Sequence, residues 1–213
     1  MNKVFYIFRH GQTDYNIEKR VQSFLDIPLN AQGIAQAKEL AKNLADIQFD
    51  CIYSSPLSRS LQTAEIVVNN RPIKIITNPG LRERNFGVLC GKIMNITDGT
   101  ADAVIDLSKE KVDIPAALLF SDDYTPENGE SDKMFIKRTC DTMVEIAKST
   151  NANTIGISTH GGVIGALVRA FTNFDFSGVP NAEYLKMQWD GKNFNLPEQP
   201  HWLTKMKTNQ MTL

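Results

Sequence analysis

The sequence predicts an α/β domain with a mostly parallel sheet. Short apolar strands alternate with amphipathic helices along most of the 213 residues, the pattern that builds parallel sheets with helices on their faces. Two of the three histidines, His10 and His160, close such strands, and each precedes a glycine. Apolar residues make up 42% of the chain and charged residues 22%, with a net charge of −1. That is enough apolar side chain to fill a core, and too balanced a charge for disorder or for a dedicated nucleic-acid binder.

Lys3 to Phe8 is apolar, aromatic and β-branched, a buried strand stopped by Arg9-His10-Gly11. Asn30 is placed to cap a helix in which Ile34, Ala37, Leu40, Ala41 and Leu44 recur at helical spacing. Cys51 to Ser54 is a second strand. Ser55-Pro56 then supplies a cap and a first-turn proline for a helix running to about Val68. Lys74 to Thr77 is a third strand. From Val88 to Glu127 the periodicity weakens, with short helical pieces expected around Ala101 to Ser108. This stretch reads as an insertion above the core. Gly129-Glu130-Ser131 leads into a helix with Ile136, Cys140, Met143, Val144 and Ala147 on one face. Thr154 to Thr159 is a fourth strand, ended by His160-Gly161-Gly162 and followed by an apolar helix to about Phe171. Glu183 to Trp189 and Asn193 to Leu196 flank Asp190-Gly191, a hairpin signal. Residues from about 198 to 213 are expected to form a tail, and the whole chain one domain.

In parallel sheets, ligands bind beyond the carboxyl ends of the strands. His10, His160, the adjacent Arg9, and Arg59 in the first turn after the second strand would gather there. Such a cluster of positive groups needs an anion, and phosphate suits two guanidinium forks. His201 has no comparable context. The chain lacks GxxxxGK[ST], GxGxxG and HExxH patterns and any Cys/His cluster. No metal and no nucleotide cofactor are therefore expected. Cys51, Cys90 and Cys140 are an odd, scattered set, expected as reduced thiols in a cytoplasmic protein. No apolar run approaches the ~18 residues that span a bilayer, so no membrane partner is expected.

Arg9-His10-Gly11-Gln12-Thr13-Asp14-Tyr15-Asn16 resembles the RHGxTxxN signature of the histidine phosphatase superfamily, in its phosphoglycerate mutase-like branch. Ser54 to Ala64 is similar to that family's second arginine motif, and Leu81 to Gly87 to its LxExxFG segment. Gly129-Glu130-Ser131 resembles its GES turn, and Thr159 to Ile164 its second-histidine motif. Five motifs stand in family order over about residues 3 to 170. The resemblance implies a three-layer α/β/α fold with a small cap insertion at about 88–127. It also implies a metal-independent phosphatase acting on a small-molecule phosphate monoester, with homodimers common among relatives. His10 would be the nucleophile that forms a phosphohistidine. Arg9, Asn16, Gln22, Arg59, His160 and the Gly161 amide would contact the substrate phosphate. Glu83 would protonate the leaving oxygen and then activate water, with Glu130 the next candidate for that role. Arg82 and Arg84 would face away from Glu83 if the segment were a strand.

Ser23 and Cys90 stand where the family often has glycine and an acidic residue. Phosphoglycerate mutases carry an arginine pair in the insertion, whereas residues 88–127 contain no arginine. They hold three lysines against eight acidic residues, a local balance of −5. Such a cap is expected to repel a second phosphate, which ranks a mutase or a bisphosphate-specific phosphatase below a monophosphatase. A second phosphate site, if present, would be completed by Arg20 or Lys92.

Overall fold

A computed structural model describes residues 2–98, 105–122, 124–174, 176 and 178–203. The elements are β1 (Lys3–Arg9), α1 (Asp14–Ile17), α2 (Ala31–Asn43), β2 (Cys51–Ser54), α3 (Ser58–Val68) and β3 (Lys74–Thr77). After them come β4 (Ile93–Thr97), β5 (Lys111–Pro115), α4 (Ala116–Leu119) and α5 (Asp132–Ser149). The chain continues through β6 (Thr154–Thr159), α6 (Gly161–Phe171), β7 (Tyr184–Trp189) and β8 (Phe194–Asn195). Six strands form one sheet in the order β3-β2-β6-β1-β7-β8. The first four are mutually parallel, and β7 and β8 are antiparallel, joined by the Asp190-Gly191 turn. This is the α/β fold with a mostly parallel sheet that the sequence predicts.

The strands are buried on both faces because helices cover both. Phe5, Ile7, Ile155 and Ile157 point to a core shared with α5 and α6, which supply Phe135, Met143, Ile146, Val163, Ile164 and Leu167. Phe8 and Ile52 point the other way, onto Leu40 and Leu44 of the α2 segment and Ala64 and Val67 of α3. α5 starts where expected, its cap Ser131 accepting from the Met134 N–H. Met143 and Ala147 of the expected face are buried and Ile136 and Val144 pack against the core, and the buried face extends to Phe135, Thr139, Thr142 and Ile146. Leu203, in the stretch expected as a tail, is buried in the α5–α6 core; residues 204–213 lie outside the described ones.

Three local expectations change. α3 opens at Ser58, not at Ser55-Pro56, because Leu57 stays extended and Asp26 reaches in from another loop. Asp26 accepts from the Ser58 N–H at 2.7 Å and its hydroxyl at 2.8 Å, supplying the cap from a distance. The insertion is built on strands: β4 and β5 pair in parallel and bury Leu89, Val112, Ile114 and Leu119 in a small core of their own. Helix expected around Ala101 to Ser108 falls in its first half on residues 101–104, outside the described ones. Residues 105–108 form no helix. The Asp106 side chain accepts from the Ser108 N–H and hydroxyl, a local turn that competes with helical bonding.

Candidate active site

β1 and β6 run side by side with Arg9 opposite Thr159. The residues that follow them, His10 and His160, therefore meet at one sheet edge, their ring centroids 5.3 Å apart. β2 borders β6 on its other side, Ser54 opposite Ser158, which brings Ser55 against His160.

His10 is buried, and its Nδ1 lies 2.7 Å from the Gly11 carbonyl. A carbonyl oxygen only accepts, so Nδ1 carries the proton and Nε2 keeps its lone pair. Burial, reinforced by the Arg9 and Arg59 charges, holds the His10 pKa well below the usual histidine range. The ring is therefore neutral, the form able to attack phosphorus. His160 is fully buried; its Nε2 sits 2.8 Å from Ser55 Oγ, and its Nδ1 has no partner. Burial, with Arg59 next, pushes its pKa down as well.

The two arginines are held by backbone carbonyls. Arg59 donates from Nη1 to Leu25 O and from Nη2 to Ser23 O, both at 2.8 Å. Arg9 donates from Nη1 to Val179 O. Burial lowers both pKa values, that of Arg59 to about 10, which leaves Arg59 charged at neutral pH. Ser23 earns its place here: at φ +48° it adopts the left-handed backbone that favours glycine. Its hydroxyl compensates by donating to Arg84 O and accepting from the Phe86 N–H.

Among the described residues, Arg9 Nε, Arg59 Nε, His160 Nδ1 and Gln22 Oε1 are buried polar atoms without a hydrogen-bond partner. Arg9, Arg59 and Gln22 line one cleft, and His160 lies directly behind it against His10. An unsatisfied buried donor costs about 1–3 kcal/mol, more when charged. A tetrahedral oxyanion would satisfy the two arginine N–H donors of this set, whereas Gln22 Oε1 is itself an acceptor. Asn16 and Gly161 line the same cleft. Gly161 opens α6, and its capping residue His160 makes no side-chain cap, so the Gly161 amide is available to an anion.

Glu83 lies across this cleft. Its segment is irregular rather than a strand, yet the neighbouring arginines do turn away, each for its own reason. Arg84 is buried with Asp132, donating also to Leu119 O and Glu130 O. The Arg82 guanidinium stacks on Phe24, 5.2 Å from the ring centre. The Glu83 carboxylate accepts from the Arg84 N–H at 2.9 Å and the Gly162 N–H at 3.0 Å. A Cβ on Gly162 would stand 2.0 Å from Glu83 Oε1, so glycine is what lets the carboxylate approach. Glu130 is not at the cleft. Burial opposes its charge, but Arg138 at 2.7 and 2.8 Å holds its pKa low. Arg138 also donates to the carbonyls of Gly80, Arg82 and Glu83, so the pair clamps the loop that carries Glu83. Sequence reading missed this clamp, together with Ser55 and the carbonyls that grip the arginines; only the Gly161-Gly162 pair hinted at a close approach.

The cleft holds about 440 Å³, and Val21, Phe86, Met94, Ile96, Phe176 and Val179 form its apolar walls. None of the insertion's described acids lines it. Glu110 pairs with Arg20, Asp106 with Lys109, and Asp113 accepts from Asn95. The described acids therefore stand away from the cleft, so charge repulsion from them is not what shapes it. Arg20 is engaged by Glu18, Glu110 and Gly91 O, and Lys92 by Leu107 O and Lys109 O. Neither reaches the cleft.

Comparison with known proteins identifies the family and the fold. The profile of the histidine phosphatase superfamily (branch 1) matches residues 5–198. A probable phosphoglycerate mutase, GpmB of Proteus mirabilis, is 42% identical over 84 residues, 39% of either chain. Fructose-2,6-bisphosphatase TIGAR of Xenopus tropicalis is 32% identical over 179 residues, 78% of this chain and 60% of its own. The matched part thus spans less than two thirds of either relative. Among solved structures, YhfR of Bacillus stearothermophilus superposes with a TM-score of 0.75 at 29% identity, over 92% of this chain and 95% of that one.

Proposed function

The chain belongs to the histidine phosphatase superfamily, and on that premise we propose that it is a metal-independent phosphatase hydrolysing a small-molecule phosphate monoester through a phosphohistidine on His10. The observation that carries this reading is the set of unpartnered buried nitrogens around a neutral His10: the donors Arg9 Nε and Arg59 Nε, and His160 Nδ1.

In the first step His10 Nε2 attacks phosphorus, forming the N–P bond as the ester P–O bond breaks. The Gly11 carbonyl holds Nδ1–H and takes up part of the charge that develops on the ring. Glu83 gives its proton to the leaving oxygen, and the alcohol departs. In the second step the Glu83 carboxylate accepts a proton from water as that water attacks phosphorus. The N–P bond breaks, inorganic phosphate leaves, and His10 returns neutral. The covalent stage divides one hard displacement into two easier ones. Arg9, Arg59, Gln22, Asn16 and the Gly161 amide bind the non-reacting oxygens, whose charge persists throughout. Two fixed guanidinium groups supply the positive charge that a metal ion would bring in other phosphatases.

A mutase would use the same residues but return the phosphoryl group to the substrate. It needs a grip on a carboxylate or a second phosphate, and the cleft's apolar walls speak against one. A cytoplasmic setting fits three thiols without partners in disulfides. Rapid quench with a 32P-labelled monoester is expected to trap an acid-labile, base-stable phosphoprotein, lost in His10→Ala, with turnover undiminished in EDTA. Label on another residue, or isomerisation of 3-phosphoglycerate without phosphate release, would overturn the reading.

A further inference from the structure

The cleft also speaks to the part of the substrate that leaves. Resting on the phosphatase reading, we infer that the preferred substrate is a small phosphate monoester whose alcohol is apolar and carries no second charge.

Beyond the phosphate cradle, the cleft is walled by Phe86 from the Glu83 loop, Met94 and Ile96 of β4, and Phe176 and Val179 after α6. Ile96 is 47% exposed, a large apolar side chain at a cleft wall that a bound apolar group would cover. Arg9 and Arg59 are the cations that border the cleft among the described residues, and a phosphoryl dianion matches both. Arg59 Nη1 and Nη2 already serve the Leu25 and Ser23 carbonyls, and Arg9 Nη1 serves that of Val179. Arg20, which precedes the insertion, is engaged by Glu18, Glu110 and Gly91 O, and Lys92 of the insertion by Leu107 O and Lys109 O. Outside the described residues, 99–104, Asp123, Asp175 and Ser177 contain no basic side chain, whereas 204–213 contain Lys205 and Lys207. Among the described residues, a carboxylate or second phosphate in this space would lose its water against apolar walls and meet no cation beyond Arg9 and Arg59. An alkyl or aryl group would instead bury apolar area on both sides. A cleft of about 440 Å³ leaves room for such a group beside the phosphate.

The test is kcat/KM of the full chain on straight-chain alkyl phosphates of about two to six carbons, whose alkoxides are similarly basic, beside 3-phosphoglycerate and fructose 2,6-bisphosphate. We expect a rise of about two- to fourfold per methylene, as burial of each CH2 predicts, with both polyanions below the longest alkyl ester. Met94→Ser and Ile96→Ser should flatten the series. Calorimetric affinities of the matching alkyl phosphonates, which cannot be hydrolysed, should follow the same order. Absence of turnover on every ester would overturn the phosphatase reading, while the phosphonate order still decides this inference. A flat phosphonate series, tighter binding of a polyanion, or series unchanged in both variants would overturn it.

Discussion

At the residue scale, Glu83 is the clearest object of a test. Two backbone N–H groups fix its carboxylate, one per oxygen, and each oxygen keeps a further lone pair to carry a proton. If it protonates the leaving group, Glu83→Gln should slow phosphorylation by alkyl phosphates about 10²- to 10⁴-fold. Para-nitrophenyl phosphate, whose leaving group needs little protonation, should lose far less. Single-turnover kinetics on both esters makes the comparison, and equal losses would move the acid elsewhere. Glu130 is no substitute, since Arg138 binds both of its oxygens. How much of the site was legible depends on the kind of residue. His10, Arg9, His160 and Arg59 follow strand ends, so their positions could be read from local pattern. The carbonyls of Ser23, Leu25 and Val179 could not. Every residue has a carbonyl, and only the path of distant loops aims these three at an arginine.

At the element scale, the loop from Gly80 to Asn85 must hold Glu83 opposite His10 without any regular hydrogen-bond ladder. Arg138, from the second turn of α5, does that work as a positioning residue. It donates to three carbonyls of the loop, while its partner Glu130 accepts from the Asn85 N–H. Arg138→Met should lower stability by about 3 kcal/mol, because it strands a largely buried carboxylate and three carbonyls. It should also lower kcat on alkyl phosphates more than on para-nitrophenyl phosphate, with KM little changed, and Arg138→Lys should restore part of it. Denaturant melts with the two-ester comparison check this; a stability loss with equal kinetic losses on both esters would make Arg138 structural only. The same loop explains why a strand expectation for Arg82 to Arg84 reached the right orientation for the wrong reason. Arg84 is drawn off by Asp132, and Arg82 by Phe24. Likewise, α3 begins late because Asp26 caps it across 32 positions of sequence, which leaves Ser55 free to hold His160.

At the scale of the whole molecule, two neutral imidazoles sit in the core beside two cations. Their folded pKa values are depressed below 6.5, burial being the first cause. The unfolded chain therefore binds more protons below that pH, and stability must rise with pH there. The contribution is complete above about pH 6.5 and is lost as the pH falls from there toward the folded pKa values. The expected slope is up to about 1.4 kcal/mol per pH unit for each histidine. Urea titrations between about pH 5 and 7.5 should show it, and His10→Asn should remove about half; an unchanged slope would mean that His10 is not buried neutral. By itself the sequence determined the parallel sheet and the edge where His10, Arg9, Arg59 and His160 gather. Strand and helix periodicities are local, and in a parallel sheet every strand of the set delivers its carboxyl end to the same side. Only the tertiary structure decided what stands over that edge. The short pairing of β4 with β5 brings Met94 and Ile96 to the cleft, while none of the insertion's described acids lines it. Summed charge could not foresee this, because a count of −5 carries no direction, and direction comes from contacts between residues far apart in the chain.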